Sequence, residues 1–371
     1  MKKDQRVKHS KIDMFLLVLV LLLAVFGLVM LFSTSSYNGR VRFHDSAYYF
    51  KKQLFATAIG LGVMYGVSSV DYHLFVRLGP AAYLLSMALS AAVLLFGKEI
   101  NGSKRWLSLG PLSFQPSEFA KVAVILFLTW QMERAKGDTA RPAVMCRTML
   151  TLLPIVGLVG SNNLSTAIII LGIGVTLIFI SNAKYVRFLG LFGAGAGFMA
   201  VFLAAESYRL ERLAIWRDPE KYEKGFQTIQ GLYAIGSGGI FGRGLGSSLQ
   251  KLGFVPEAQN DMIFSIICEE LGLFGACVLI LCFILLLWRL CVIALHGADL
   301  AGMMICGGIL AHMAIQVILN IAVVTNTIPN TGITLPFISY GGTSVVFLLG
   351  EMGLALGVSS HARRPGAYNG K

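Results

Sequence analysis

The stretch "VPEAQNDMIF" (255–264) sets two carboxylates, Glu257 and Asp261, four residues apart at the edge of a long apolar run. On a helix, like charges at that spacing repel each other. Crowded, partly desolvated carboxylates have raised pKa values, and such a group is a candidate general base near neutral pH. Helix-end electrostatics is the plainer alternative. Pro256 could open a first turn with Glu257 favoured by the dipole, or Asn260 could cap a helix with Asp261 just inside. Either placement suits one acid and leaves the pair unexplained. Glu269 and Glu270 follow two to three turns deeper, where contact with neighbouring helices is expected.

A third carboxylate stands in "QPSEFAK" (115–121). Pro116 and Ser117 read as a helix start with Ser117 as cap, and Glu118 shares a face with Lys121. Neither charge belongs just inside a membrane helix without a partner or a wet cavity, so both read as functional. Cations gather in two segments: Lys98, Lys104 and Arg105, then Arg209, Arg212, Arg217, Arg243 and Lys251. They suit lipid headgroups, or an anionic substrate whose developing charge they would stabilise. The run "AIGSGGIFGRGLGSSLQKLGF" (234–254) lacks the Gly-Lys-Ser/Thr ending and the strand–helix frame of a phosphate loop. Its glycines read as permitting tight turns.

The elements that must position these groups are membrane helices. Of 371 residues, 56% are hydrophobic and 13% charged, against about 25% charged in soluble domains, and the mean hydropathy is +0.71. Apolar segments of about 20 residues recur, each long enough to cross a ~30 Å hydrocarbon core, and the alternation of a membrane β-barrel is absent. Ten spans are expected: 14–32, 53–70, 76–96, 117–132, 146–160, 164–181, 187–205, 262–288, 300–324 and 343–360. The first, Met14–Phe32, reads as a retained helix and not as a signal peptide. An even count puts both termini on one side. The basic ends, with Arg134, Lys136, Arg141, Arg147, Lys184 and Arg187 in alternate short loops, put that side in the cytoplasm. The net charge of +12 therefore calls for no nucleic acid. Six cysteines in or beside apolar runs read as small core residues, with neither disulfide nor metal site expected.

Three segments fall outside: 97–116, 206–261 and 326–342. Within the second, "YRLERLAIWRDPEKYEKGF" (208–226) reads as an amphipathic surface helix through Leu210, Leu213 and Trp216. The absence of an internal repeat argues against an inverted-repeat transporter.

Four blocks in order resemble the SEDS family (shape, elongation, division and sporulation), the FtsW branch with its sporulation relatives first and RodA next. They are "INGSKRWLSLGPLSFQPSEFAK" (100–121), "DPEKYEKGFQTIQGLYAIGSGGIFGRGLG" (218–246), "VPEAQNDMIFSIICEELG" (255–272) and "NTGITLPFISYGGTS" (330–344). The resemblance implies one ten-helix, multi-pass domain over 1–371 in the bacterial cytoplasmic membrane. It implies a peptidoglycan glycosyltransferase that polymerises lipid II at the outer face, with a class B penicillin-binding protein and other division or elongation proteins as partners. The family's P-E-x-x-x-D aspartate falls on Asp261 as the catalytic residue. Its P-S-E-x-x-K positions fall on Glu118 and Lys121, and its basic loop position on Arg105. The chain departs where the family often has His-Thr, here Gln259 and Asn260, and where it often has P-D-L-G-T, here "SNNLSTA" (161–167). Asn163 thus replaces an acid, which shifts the load to Asp261.

On this reading Asp261 takes the proton of the acceptor sugar's 4-hydroxyl as it attacks the donor's anomeric carbon, inverting it to a β-1,4 bond. Lys104, Arg105, Lys121, Arg212 and Arg243 meet the leaving pyrophosphate, and Glu118 and Glu257 are counted as substrate-facing. The undecaprenyl tails would lie in an apolar groove. No cofactor is expected, and a divalent cation at the pyrophosphate is left open. A lipid II flippase would instead need a polar path through the membrane, and a non-catalytic scaffold would leave Asp261 dispensable.

Overall fold

The computed structural model describes residues 12–100, 103–109, 112–135, 142–181, 193, 197 and 207–361. The expected seventh span, 187–205, lies almost wholly outside them. The described chain runs α1 (Met14–Phe43), α2 (Tyr48–Ser69), α3 (Tyr72–Phe96), β1 (Lys98–Ile100), β2 (Ser103–Leu109), β3 (Leu112–Phe114), α4 (Pro116–Arg134), α5 (Pro142–Asn162) and α6 (Leu164–Ser181). It continues with α7 (Ser207–Arg217), α8 (Phe226–Ser237), α9 (Ile263–Leu295), α10 (Leu300–Val324) and α11 (Gly342–His361). Seven of these helices are long and apolar enough to cross a membrane: α1, α3, α5, α6, α9, α10 and α11. α2 and α4 are of similar length but carry charges near their starts.

Helix α1 continues well past Phe32 because the polar residues that follow are satisfied within the bundle. Thr34 Oγ1 donates to the Met30 carbonyl at 2.8 Å, and Ser33 Oγ donates to Glu270 at 2.8 Å. α2 packs on α11, α3 on α4, and α10 on both α9 and α6. Their apolar faces form one continuous core. Within the outside segment 97–116, the described strands form an antiparallel β1-β2-β3 meander. The amphipathic helix expected over 208–226 stops at Arg217, where Pro219 opens the first of two 3-10 turns (Pro219–Lys221 and Glu223–Gly225).

The glycine run has a structural purpose. Helix α9 is broken at Gly272 (φ 69°, ψ −170°), and the segment 239–244 docks into the break. Leu273 and Phe274 donate their backbone N–H to the carbonyls of Gly239 (2.9 Å) and Ile240 (3.0 Å). Arg243 and Gly244 donate theirs to the carbonyls of Glu269 and Glu270, both at 2.9 Å. The backbone groups freed by the break are therefore paired within the protein, as an apolar surrounding requires. Gly242 sits at φ 78°, and a Cβ there would collide with the Glu270 carbonyl. Gly242→Ala should cost at least about 1–3 kcal/mol, read as a lowered melting temperature of the purified protein.

Glu269 and Glu270 are both fully buried and hold this segment down. Glu270 pairs with Lys251 Nζ at 2.6 Å. Glu269 accepts from the backbone N–H of Leu249 (3.1 Å) and Gln250 (3.3 Å), from Ser248 Oγ, and meets Arg243 at 3.5 Å. Their role is structural.

Candidate active site

Asp261 does not lie on a helix. The expected helix start at Pro256 or Asn260 is replaced by consecutive turns, and α9 begins at Ile263 with Met262 at its cap position. Glu257 takes a left-handed conformation (φ 52°), so the two acids are not neighbours on one helix face. Its carboxylate accepts from Asn260 Nδ2 at 2.7 Å and reaches Arg42 at 3.4 Å.

Asp261 is half-buried, and Gln227 Nε2 from α8 donates to its Oδ1 at 3.4 Å. Burial pushes its pKa up to about 6, helped by the negative charge of Glu257 and opposed by the Gln227 hydrogen bond and by Arg105. A carboxylate with that proton affinity is ionised at neutral pH and close enough to neutrality to accept a proton in a reaction.

Arg105 comes from β2 and donates its Nε to the Asn162 carbonyl at the end of α5 (3.3 Å). Gly332 closes the site. It sits at φ 68°, and a Cβ there would lie 3.7 Å from Arg105 Nη1 and 3.9 Å from Asp261 Oδ2. The acid and the cation thus face one point beside a residue that has no side chain.

The uncharged segment 326–342 that carries Gly332 is irregular, and donors from several elements satisfy its carbonyls. Trp216 Nε1 donates to Asn326 O (2.9 Å), Arg212 Nη1 to Asn330 O (3.1 Å) and Ser165 Oγ to Thr331 O (2.9 Å). Asn320 Nδ2 donates to Ile333 O (2.7 Å) and also to the Asp261 carbonyl (2.8 Å). Gln316 Nε2 donates to Thr334 O (3.0 Å).

Glu118 and Lys121 pair at 2.9 Å, both buried, on the first turns of α4. Ser117 is not the cap: Gln115 holds that position, Pro116 is the first helical residue, and Ser117 Oγ accepts from Gln115 Nε2 at 3.1 Å. Lys121 also donates to Gln316 Oε1 at 3.1 Å, which links it to the Gly332 segment. Asn163 is buried, and its Oδ1 accepts from Thr166 N at 3.2 Å, capping α6.

Of the site residues expected from sequence, the structure thus gathers Asp261, Arg105 and Glu257, pairs Glu118 with Lys121, which Gln316 links to the Gly332 segment, and sets Arg212 on Asn330. Arg243 stands apart, with Glu269. Lys104 lies on β2 opposite Glu99, and its side chain is outside the described part of the structure. Sequence reasoning missed Gln227, Gln316 and Asn320. The signal for the last two was present: His312, Gln316 and Asn320 recur every fourth residue, a polar stripe on one face of an apolar span.

Residues 13–364 match the model of the FtsW/RodA/SpoVE family, described as cell cycle proteins. Stage V sporulation protein E of Bacillus subtilis (strain 168) is 39% identical, over 96% of this chain and 99% of that protein. The probable peptidoglycan glycosyltransferase FtsW of Trichlorobacter lovleyi is 34% identical, over 95% of this chain and 94% of that protein. Among solved structures, a chain from a peptidoglycan synthase complex coordinating polymerization and crosslinking superposes with a TM-score of 0.79 at 30% identity, covering 94% of this chain and 97% of that one. The rod shape determining protein RodA of Thermus thermophilus gives 0.71 at 28%, covering 95% and 98%. With seven apolar helices long enough to span and a family match over nearly its whole length, the chain belongs to the FtsW/RodA/SpoVE family of multi-pass bacterial membrane proteins.

Proposed function

We propose that this protein is a peptidoglycan glycosyltransferase that polymerises lipid II, with Asp261 as general base. One observation carries the reading: a half-buried carboxylate, with its pKa raised to about 6, and an arginine both face Gly332, 3.9 and 3.7 Å from where a Cβ would stand. The names of the relatives and of the peptidoglycan synthase complex support the same chemistry.

In the proposed reaction the acceptor's 4-hydroxyl hydrogen-bonds to Asp261 Oδ2. It attacks the donor's anomeric carbon as its proton passes to the carboxylate, and the bond to the pyrophosphate breaks with inversion. The leaving oxygen's charge is met by the Arg105 guanidinium. Lys121 is already neutralised by Glu118, and Arg243 by Glu269, so these two contribute to shape more than to leaving-group stabilisation. Both substrates hang from lipids, so the base belongs at the end of the bundle where the β-meander and the Gly332 segment meet. By the charge of the termini and short loops, that end faces outward. A class B penicillin-binding protein is the proposed partner.

One observation speaks for the flippase reading. A polar chain from Glu118 through Lys121, Gln316 and His312 to Glu351 enters the bundle, and His312 lies roughly 18 Å along α10 from its Val324 end. Every member is buried and pairs with the next, which suits a packed strut better than a translocation path.

Purified protein given labelled lipid II, with and without a class B partner, should form glycan polymer. Movement of labelled lipid II across liposomes without polymer would overturn the reading in favour of transport.

A further inference from the structure

The buried chain behind the site has a defined direction of hydrogen bonding. Gln316 Nε2 donates to the Thr334 carbonyl at 3.0 Å, and that acceptor fixes the orientation of the amide. Its Oε1 therefore faces Lys121 Nζ at 3.1 Å and His312 Nε2 at 2.8 Å. Lys121 is a donor, so Oε1 receives two hydrogen bonds, and His312 Nε2 carries a proton. The other ring nitrogen, Nδ1, faces Glu351 at 2.8 and 3.0 Å. Two acceptors cannot face each other at that distance, so a second proton is held between His312 and Glu351.

His312 and Glu351 are each 1% exposed and Gln316 is 2% exposed. Buried this deeply, each bond in the chain is costly to leave unmade. The donor end of the chain lands on Thr334, two residues from Gly332. One turn along α10, Asn320 ties Ile333 to the Asp261 backbone.

We infer that Gln316 is a positioning residue: backed by His312 and Glu351, its amide fixes the Thr334 carbonyl and the Lys121 ammonium, and so sets where the Gly332 turn stands between Arg105 and Asp261. Glu351, contributed by α11, acts on the site only through this chain. His312 adds a second donor, beside Lys121, to the Gln316 Oε1 and so braces an orientation that Thr334 sets.

The turnover readout rests on the lipid II reading proposed above; the structural readout does not. Gln316→Leu keeps the side-chain bulk and removes the bonds. Its turnover on labelled lipid II should fall on the order of tenfold with KM changed less than about threefold, because the separation of base and cation matters most in the transition state. Backbone amides of residues 328–338 should exchange hydrogen on the order of tenfold faster than in wild type. Glu351→Leu should move both readouts the same way. Glu351→Gln can donate its amide to Nδ1 of a neutral His312 and should recover most of the loss. Wild-type exchange and turnover in Gln316→Leu would overturn the inference, as would Glu351→Gln as impaired as Glu351→Leu. The Glu351 pair decides the matter should Gln316→Leu fail to fold. If wild type with its partner makes no polymer, the polymerase reading fails and the exchange comparison alone decides.

Discussion

Asp261→Asn should lower glycan polymerisation by about 10²–10⁴-fold, the range a positioned general base contributes, while leaving the protein folded. An asparagine fills the same space, and its Oδ1 still accepts from Gln227, but it cannot take the acceptor's proton. The same substitution should make the protein more stable at neutral pH. The pKa of Asp261 is raised to about 6 in the folded state. The fold therefore holds this proton more tightly than the unfolded chain does. That contribution is fully present below the unfolded pKa of about 4 and is lost as pH rises through 6. Above that, the ionised, partly desolvated carboxylate costs on the order of 2–3 kcal/mol, which asparagine removes. The variant should melt higher than wild type at pH 7.5, and the gain should vanish towards pH 4. An inactive variant that also melts well below wild type would mean that Asp261 is a structural residue.

The largest loss of stability should come from Glu270→Leu. Among the described residues, Lys251 would be left buried with its ammonium facing only Ser33 Oγ, 3.0 Å away. Removing one partner of a buried pair costs about 3–5 kcal/mol, whereas replacing both by apolar residues is often near neutral. Thermal melts should therefore show Glu270→Leu far below wild type and Lys251→Met/Glu270→Leu recovering most of the difference. Because this pair pins the glycine segment into the α9 break, limited proteolysis within 239–254 should follow the same order. Equal melts for the single and double variants would remove the anchoring role assigned to Glu270.

Much of this architecture is legible in the sequence. The long spans declare themselves by apolar length, and α10 begins and ends where its hydropathy does, at Leu300 and Val324. Asp261 stands out because an acid at the edge of a membrane helix needs a reason. Helix boundaries set by hydrogen bonding, not by hydropathy, were harder: α1 crosses Ser33 and Thr34 because its hydroxyls find partners. The β-meander was missed because strands of three and seven residues leave little alternation to read. The break in α9 was invisible for a different reason. Gly272 alone does not break a helix, and only the docking of 239–244, far away in sequence, pairs the groups that the break exposes. Likewise Gln316 and Asn320 are neutral amides whose importance depends on which carbonyls lie opposite them. Charge attracts attention in an apolar sequence, but the sequence does not show that Arg243 pairs with Glu269.

The most direct test of the account is single-turnover polymerisation of labelled lipid II between pH 5 and 8, comparing wild type with Asp261→Asn in the presence of the class B partner. With Asp261 as the base, the wild-type rate should be flat near pH 8, fall about tenfold per unit below pH 6, and exceed the variant throughout, while the variant stays low without that inflection. Equal rates, or the same inflection in both proteins, would contradict the assignment of the reaction's proton to Asp261.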